Sequence, residues 1–475
     1  MKIKLHQFII SLSLCLVVIS CKVPVATTTE SKPLPDFYVK NQDTTNVSNV
    51  KWKNFFTDKY LVSLIDEALK NNQELMITLQ EIEIAKNDIR IRKGALLPTV
   101  GLRAGAGIEK VGTYTSQGAG DASAEITPGN RVPEALQDYT LAAYAHWEVD
   151  IWKKLRNSKK AAISRYLATI EGKNFVITNL IGEVANSYYE LLALDNQLQT
   201  IRQTIVLQNN ALEIVKVQKE AARATELGVQ KFQAEVLASQ SMEFETLQKI
   251  KETENRINFL LARYPQEIKR NTADFLSLPA ASVNAGIPSQ LLANRPDVKQ
   301  AELELAAAKL DVKVARAEFY PSLDISATYG MQAFKTNYLF SLPESILYSL
   351  AGDLAAPLIN RNAIKAEFKN ANARQLQALY NYERTILNAY LEVSNQLSKI
   401  SNIENSFNLK SKQVTALNKS IEASNDLFKS ARIDYFEVLM TQRDALENKL
   451  ELIDTKKEQL NASIKMYRNL GGGWK

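Results

Sequence analysis

Residues 314–330 read VARAEFYPSLDISATYG, and residues 91–107, IRKGALLPTVGLRAGAG, are a looser copy of the same text. Both start as helix and end as strand, with a proline at the seam. Laid one on the other, the copies place Glu81 on Glu304, Ala85 on Ala308, Lys86 on Lys309, Asp88 on Asp311, Pro98 on Pro321 and Gly107 on Gly330, without a gap. Proline disfavours the helical region for the residue before it, so helices are predicted to end at Leu97 and Tyr320, and the period to change from about 3.6 to 2.

Beyond Pro98, Val100, Leu102, Ala104, Ala106 and Ile108 alternate with Gly101, Arg103, Gly105, Gly107 and Glu109. Beyond Pro321, Leu323, Ile325, Ala327, Tyr329 and Met331 alternate with Ser322, Asp324, Ser326, Thr328 and Gly330. Each run is followed by a polar loop and a returning strand, over residues 139–151 and 346–354. Runs of about nine to eleven residues with one apolar and one polar face suit strands tilted across a membrane, with lipid outside and water inside. Four strands cannot close a barrel, and an open edge in hydrocarbon leaves backbone groups unpaired at several kcal/mol each. Three copies would supply roughly twelve strands, within the range of known membrane barrels.

The rest of the chain is mostly helix. Ile177, Leu180, Val184, Ser187, Leu191, Leu194, Leu198, Ile201, Ile205, Gln208, Leu212 and Val215 step by three and four, the spacing of a coiled-coil seam. Residues 157–222 contain no proline and only two glycines, Gly172 and Gly182, so at 1.5 Å per residue they could extend about 100 Å as a single rod. Ile400, Ile403, Phe407, Val414, Leu417, Ile421 and Phe428 repeat the design, with Lys410 and Ser424 as polar interruptions. Side by side, such rods from three copies would form a hollow cylinder. A structural coiled-coil spacer of the cell envelope is the alternative, and it leaves the alternating strands unexplained.

Composition narrows the chemistry. The 475 residues are 45% apolar and carry a formal charge of +6, with both signs spread along the chain, so no nucleic-acid footprint is evident. Lys2 and Lys4 precede an apolar run, Phe8 to Ile19, of the length of a secretory leader. Val18-Ile19-Ser20-Cys21 resembles a bacterial lipobox, which implies a leader over residues 1–20, lipid on Cys21 as the mature N-terminus and a tether over 21–50. Lys22 fits sorting to the outer membrane by the same resemblance. Cys15 and His6 fall within that leader, which leaves His146 as the sole imidazole and no thiol pair. No triad, zinc motif or phosphate loop is recognisable; GGGW at 471–474 has no strand before it and no helix after it. No enzyme activity and no cofactor are expected.

Four further stretches carry a family resemblance: WKNFFTDKYLVSLIDEALKNNQEL (52–75), IPSQLLANRPDV (287–298), APLINRNAIKAEF (356–368) and YRNLGGGW (467–474). In this order, over nearly the whole mature chain, they resemble the TolC-like outer membrane efflux proteins of the NodT-type lipoprotein branch. The resemblance implies a mainly α fold with a membrane β-barrel: a homotrimer whose α-barrel joins a shared 12-stranded β-barrel through outer-membrane lipid. It also implies two tandem repeats, 51–270 with a hairpin at 98–151 and 271–475 with a hairpin at 321–359. The implied function is a passive exit duct, fed by a periplasmic adaptor protein and an inner-membrane pump, usually proton-driven.

Two stretches look like the reversals of the long helices, AARATELGVQKFQAE (221–235) and KSARIDYFEVLMTQRD (429–444), which align with Arg223 on Arg432 and Gln233 on Gln442. By resemblance, Arg223, Ala224, Thr225, Glu226 and Leu227 in the first and Arg432, Ile433, Asp434 and Tyr435 in the second are the tips that meet the adaptor. Glu437 takes the position of an acidic ring that constricts the closed pore. Met440 stands where the family often has a second acid, which implies a constriction that is partly apolar.

Overall fold

The computed structural model describes residues 35–36, 38, 48, 50–272, 275–280, 284–357, 359, 361–430 and 432–474. Cys21 and the leader before it lie outside the described residues. In chain order the first half contains helices α1 (Trp52–Phe55), α2 (Lys59–Asn71) and α3 (Gln73–Gly94), strand β1 (Thr99–Glu109), helix α4 (Ser116–Ser123) and strands β2 (Glu125–Thr127), β3 (Asn130–Arg131) and β4 (Leu136–Val149). Helices α5 (Lys154–Glu220) and α6 (Glu226–Leu260) follow. The second half contains α7 (Gln290–Asn294), α8 (Pro296–Ala317), β5 (Ser322–Ala333), β6 (Ile346–Ala355), α9 (Asn362–Lys429) and α10 (Tyr435–Asn469).

The repeat is visible in the element lengths. Helices α6 and α10 are both 35 residues long, and α5 and α9 are 67 and 68 residues long. The second half runs from its first long strand, β5, to its last helix in fewer residues than the first half needs from β1 to α6. The difference lies in the outer loops, since the one between β1 and β4 covers residues 110–135, whereas that between β5 and β6 covers only 334–345. The long loop, expected to be plain polar loop, holds α4 and the β2–β3 ladder.

Two compact units result, and each draws on both repeats. The first comprises Ile84–Tyr166 and Leu303–Leu379, with the antiparallel sheet β1-β4-β5-β6. Its switches lie where Pro98 and Pro321 predict, since β1 and β5 each begin one residue after the proline. The helices, however, end at Gly94 and Ala317 rather than at Leu97 and Tyr320. The last turn tightens to i→i+3 bonds, Leu97 N to Gly94 O (2.9 Å) and Tyr320 N to Ala317 O (3.1 Å), before proline forces the extended backbone.

Aromatic side chains fix these junctions. Trp147 Nε1 donates to Leu96 O (3.1 Å), Trp152 Nε1 donates to Pro321 O (2.7 Å), and the Trp152 ring stacks on Tyr320. β4 stops at Val149, two residues short of the predicted end, where Asp150 turns back to the first turn of α5. Its carboxylate accepts the Leu155 and Arg156 backbone N–H groups (both 3.0 Å) and the Arg156 Nε (2.9 Å). Those backbone donors have no partner within the helix itself.

The second unit comprises Ser31–Glu83, Leu167–Glu302 and Tyr380–Lys475. From Leu180 onward the predicted seam of α5 is buried except for half-buried Ile205, including polar Ser187 and Gln208. Fully burying an aliphatic side chain contributes roughly 1.5–3 kcal/mol, so a seam of this length dominates the packing of the rod. In α9, Ser424 is buried and donates to Ile421 O (3.0 Å), while half-buried Lys410 reaches Glu451 on α10 (2.9 Å). The main core gathers Leu61, Ile65, Tyr188, Leu191, Ile257, Phe275, Ile453, Leu460 and Tyr467. The Tyr188 hydroxyl donates to Asp58 Oδ2 (2.7 Å), and burial together with that carboxylate raises its pKa, which keeps it a donor.

Two largely buried arginines each gather carboxylates in this unit. Arg270 bridges Asp195 (2.5 and 2.9 Å) and Glu254 (2.7 Å), all three side chains at most 14% exposed. Arg295, in the 287–298 motif, bridges Asp297 (2.6 Å) and Glu392 (2.7 Å) and donates to Asn469 O (3.0 Å). The GGGW terminus seats on the same place: Trp474 Nε1 donates to Asn294 O (3.3 Å). Gly471 (φ 84°) lies so close that an added Cβ would collide with that carbonyl.

Replacing Arg270 by Ala strands two buried carboxylates and should destabilise the protein by about 3–5 kcal/mol, read as a lower midpoint in chemical denaturation. An unchanged midpoint would show that Asp195 and Glu254 reach water. Burial acts to raise the Asp150 carboxyl, but the hydrogen bonds from Arg156 and Leu155 outweigh it and hold the pKa below the usual 3.8. Its stabilisation is therefore full above that usual value and disappears as pH falls through the lowered one. Asp150→Asn should lose this part of the acid dependence, as measured by Tm against pH.

Candidate functional site

The register assigns every strand residue to a face. Val100 pairs with Ala145, Leu102 with Ala143, Ala143 with Tyr329, Trp147 with Ile325, Tyr329 with Tyr348 and Ala327 with Leu350. Directly paired residues share a face, so the apolar sets read from the four alternations fall together on one side of the sheet. Leu102 is 83% exposed, Tyr348 81% and Leu350 79%, a continuous apolar surface with nothing of this chain against it among the described residues. A surface of this kind marks an interface with lipid or protein.

The opposite face carries Arg103, Asp138, Thr140, Ser326, Thr328 and His146. His146 Nε2 is 3.7 Å from Asp324 and its side chain is 61% exposed, the setting of a solvated strand residue. Glu148, Asp324 and Asp353 pair in sequence across β4, β5 and β6, so three carboxylates form one row on this face. Like charges directly opposite repel. Lys154 relieves one end of the row through Glu148 (2.5 Å), and Ser322 Oγ donates to Asp324 (3.2 Å). Strands β1 and β6 are the outer members of the sheet, and each has one unpaired edge among the described residues.

The second candidate region is the pair of helix reversals. At the end of α5, Ala222 takes a left-handed backbone (φ 57°), Ala222 N donates to Lys219 O (2.9 Å) and Arg223 N donates to Gln218 O (2.8 Å). That is a Schellman ending, and its longer bond recurs at the end of α9, from Arg432 N to Leu427 O (2.9 Å). The next helices start differently. Thr225 caps α6 through its hydroxyl, which accepts from Gly228 N (3.3 Å), whereas the Asp434 side chain makes no capping bond to α10.

The structure brings the two turns together. Val215, Val229, Phe232, Phe428, Val438 and Leu439 form one buried cluster, with half-buried Ala224, Ile433 and Tyr435 against it. Arg223, Thr225, Glu226, Leu227, Arg432 and Asp434 remain exposed around it. Glu226 pairs with Lys219, and this hydrogen bond, with a second from Gln230, holds its carboxyl below the usual range. Glu437 is exposed in the first turn of α10, and Met440, one turn later on the same side, is half buried. Sequence reasoning missed Phe436, 48% exposed with Lys231 Nζ 5.2 Å above its ring. Its signal was a second aromatic residue beside Tyr435 in the first turn of α10, with Glu437 the next residue.

No metal-ligating group of three or more His, Cys, Asp or Glu side chains occurs among the described residues. No helix among them is long and apolar enough to cross a membrane. The cation efflux system protein CusC of Escherichia coli O6:H1 is 25% identical to this chain over 429 residues, 90% of this chain and 89% of that protein. The toluene efflux pump outer membrane protein TtgI of Pseudomonas putida is 27% identical over 425 residues, 89% and 87% of the two chains. The pyoverdine export outer membrane protein OpmQ of Pseudomonas aeruginosa is 28% identical over 425 residues, again 89% and 87%.

Among solved structures, a membrane protein from Pseudomonas aeruginosa has a TM-score of 0.85 at 25% identity, covering 94% of this chain and 97% of that one. The open state of the Neisseria gonorrhoeae MtrE outer membrane channel has a TM-score of 0.82 at 20% identity, covering 96% and 98%. The fold is thus that of the outer membrane channels, mainly α with a membrane β part. The family model described as outer membrane efflux protein matches residues 64–263 and 287–472, so the chain belongs to the outer membrane efflux protein family.

Proposed function

We propose that this protein is the exit duct of a tripartite efflux system, passing substrates passively across the periplasm and the outer membrane. The observation that carries the reading is the sheet itself: four strands with an apolar face, a polar face and two open edges. In hydrocarbon those edges must be paired, and three copies placed edge to edge satisfy them with a twelve-stranded wall around a polar bore. A coiled-coil spacer would have no use for such a sheet. Relatives of similar identity are named for pyoverdine, cations and toluene, which supports a duct whose wall does not itself choose the cargo.

The remaining parts follow from that reading. Cys21 is the lipidated N-terminus that anchors the trimer to the outer membrane. A periplasmic adaptor docks on Arg223, Ala224, Thr225, Glu226 and Leu227 and on Arg432, Ile433, Asp434 and Tyr435. It connects the duct to an inner-membrane, proton-driven pump. The clustering of both turns supports this docking, because one contiguous surface presents both. Glu437 and Met440 form the constriction: three copies of an exposed carboxylate in a narrow mouth repel anions and attract cations, with an apolar ring beside them.

Purified protein should run as a heat-labile trimer, conduct ions in a planar bilayer with a preference for cations, and lose part of that preference on Glu437→Ala. An inserted trimer that stays closed to ions in both forms would defeat the duct. Arg223→Glu together with Arg432→Glu should weaken binding to the cognate adaptor at least about tenfold, roughly 1.4 kcal/mol, with the trimer mass unchanged. Undiminished adaptor binding would move the docking surface away from the turns.

A further inference from the structure

The loops of the two hairpins differ, and the longer one lines one side of a half-open cavity. Residues 110–135 are a built element: Thr115 Oγ1 accepts from Gly118 N (3.1 Å) at the start of α4, and Val132 N donates to Ala124 O (3.2 Å). Gly118 packs so tightly on Gly112 that an added Cβ would collide with its carbonyl oxygen. With residues 332–347 this insert lines a cavity of about 630 Å³. Its lining includes five carboxylates, Glu109, Asp121, Glu134, Asp138 and Glu344, against one basic side chain, Lys110.

That lysine is already taken by Glu134 at 2.7 Å. Asp138 accepts from Gln332 (2.8 Å), a neutral partner, and among the described residues Glu109, Asp121 and Glu344 have no ion pair. Val132, Leu136, Phe334 and Ile346 supply an apolar wall between the acids. Ser345, 5% exposed, adds a buried hydroxyl with no hydrogen-bond partner among the described residues, an unusual state for a native side chain. Lys335 already lies 5.9 Å over the Phe334 ring, so the attraction comes from the carboxylates and not from that ring face.

We propose that this cavity binds organic cations that carry an apolar body. The uncompensated carboxylates attract the charge in a partly enclosed site where screening by water is reduced, and the aliphatic wall takes the body. A bare metal ion fits less well, because the carboxylates do not converge as a ligand set. The site lies within one protomer, so it does not rest on the duct reading.

The test is equilibrium dialysis of the full-length protein in detergent against tetraphenylphosphonium, with tetraphenylborate as the anion of matching size. One tetraphenylphosphonium per chain should bind saturably and salt-sensitively, with tetraphenylborate no higher than the micelle blank. Asp121→Asn with Glu344→Gln should weaken binding at least about tenfold while oligomeric mass and circular dichroism stay unchanged. Asp353→Asn, outside the cavity, should leave binding as it was. Where the double variant does not keep its mass, Val132→Trp, which fills the cavity without altering charge, must abolish binding. Absent saturable binding, equal binding of the anion, or indifference to these cavity variants overturns the proposal. A protein that conducts ions yet binds no tetraphenylphosphonium overturns this proposal alone.

Discussion

A strand has two rows of backbone hydrogen-bonding groups, and β1 and β6 each leave one row unpaired. In water that is tolerable; beside an apolar face made for lipid it is not, because nothing in hydrocarbon can take the place of the missing partner. The sheet of a single chain is therefore an incomplete object. The strict alternation of faces and the small number of strands per chain become intelligible only when other copies supply the missing rows. For the same reason the folded membrane part and the oligomer cannot be separated: a lone chain has no way to satisfy its own edges.

The helices solve a different problem, that of stopping and reversing very long rods. Their ends repeat one device, a Schellman bond from the third residue past the helix, seen at Arg223, Arg263, Arg432 and Gly472. Ala222 and Ala262 adopt left-handed backbones without being glycine, at φ 57° and 54°. The left-handed region costs roughly 1–2 kcal/mol for such a residue, a strain offset by the satisfied carbonyls and the apolar clusters beneath the turns. Arg270 and Arg295 act in the same unit on another scale, each gathering carboxylates that are far apart in sequence.

Much of this was legible because it is periodic. The α5 seam, both faces of the sheet and the two prolines follow from spacing alone, and the family resemblance named the architecture that spacing left open. The parts that were not legible depend on contacts distant in sequence. Residues 116–123, SQGAGDAS, are poor helix formers and become α4 through the Thr115 cap and the close approach of Gly112 and Gly118. The tightened turns after Gly94 and Ala317 carry no residue signal. The Arg270 network joins charges that look like ordinary surface residues when read one by one. The turn residues could be matched by laying one reversal on the other, but only the fold puts Tyr435 against Gly228, 3.5 Å from where a Cβ would be.

The unequal hairpin loops, 110–135 and 334–345, show where this chain can change. An inserted residue in a helix rotates everything after it by about 100° about the axis, which would turn each later seam residue out of its core. In the outer loop the same insertion ends where it began, because the next strand re-enters in register. The equal 35-residue lengths of α6 and α10 beside loops of different size are the record of that contrast. Changes in length and in surface chemistry can collect in that loop, while the long helices keep an almost fixed residue count.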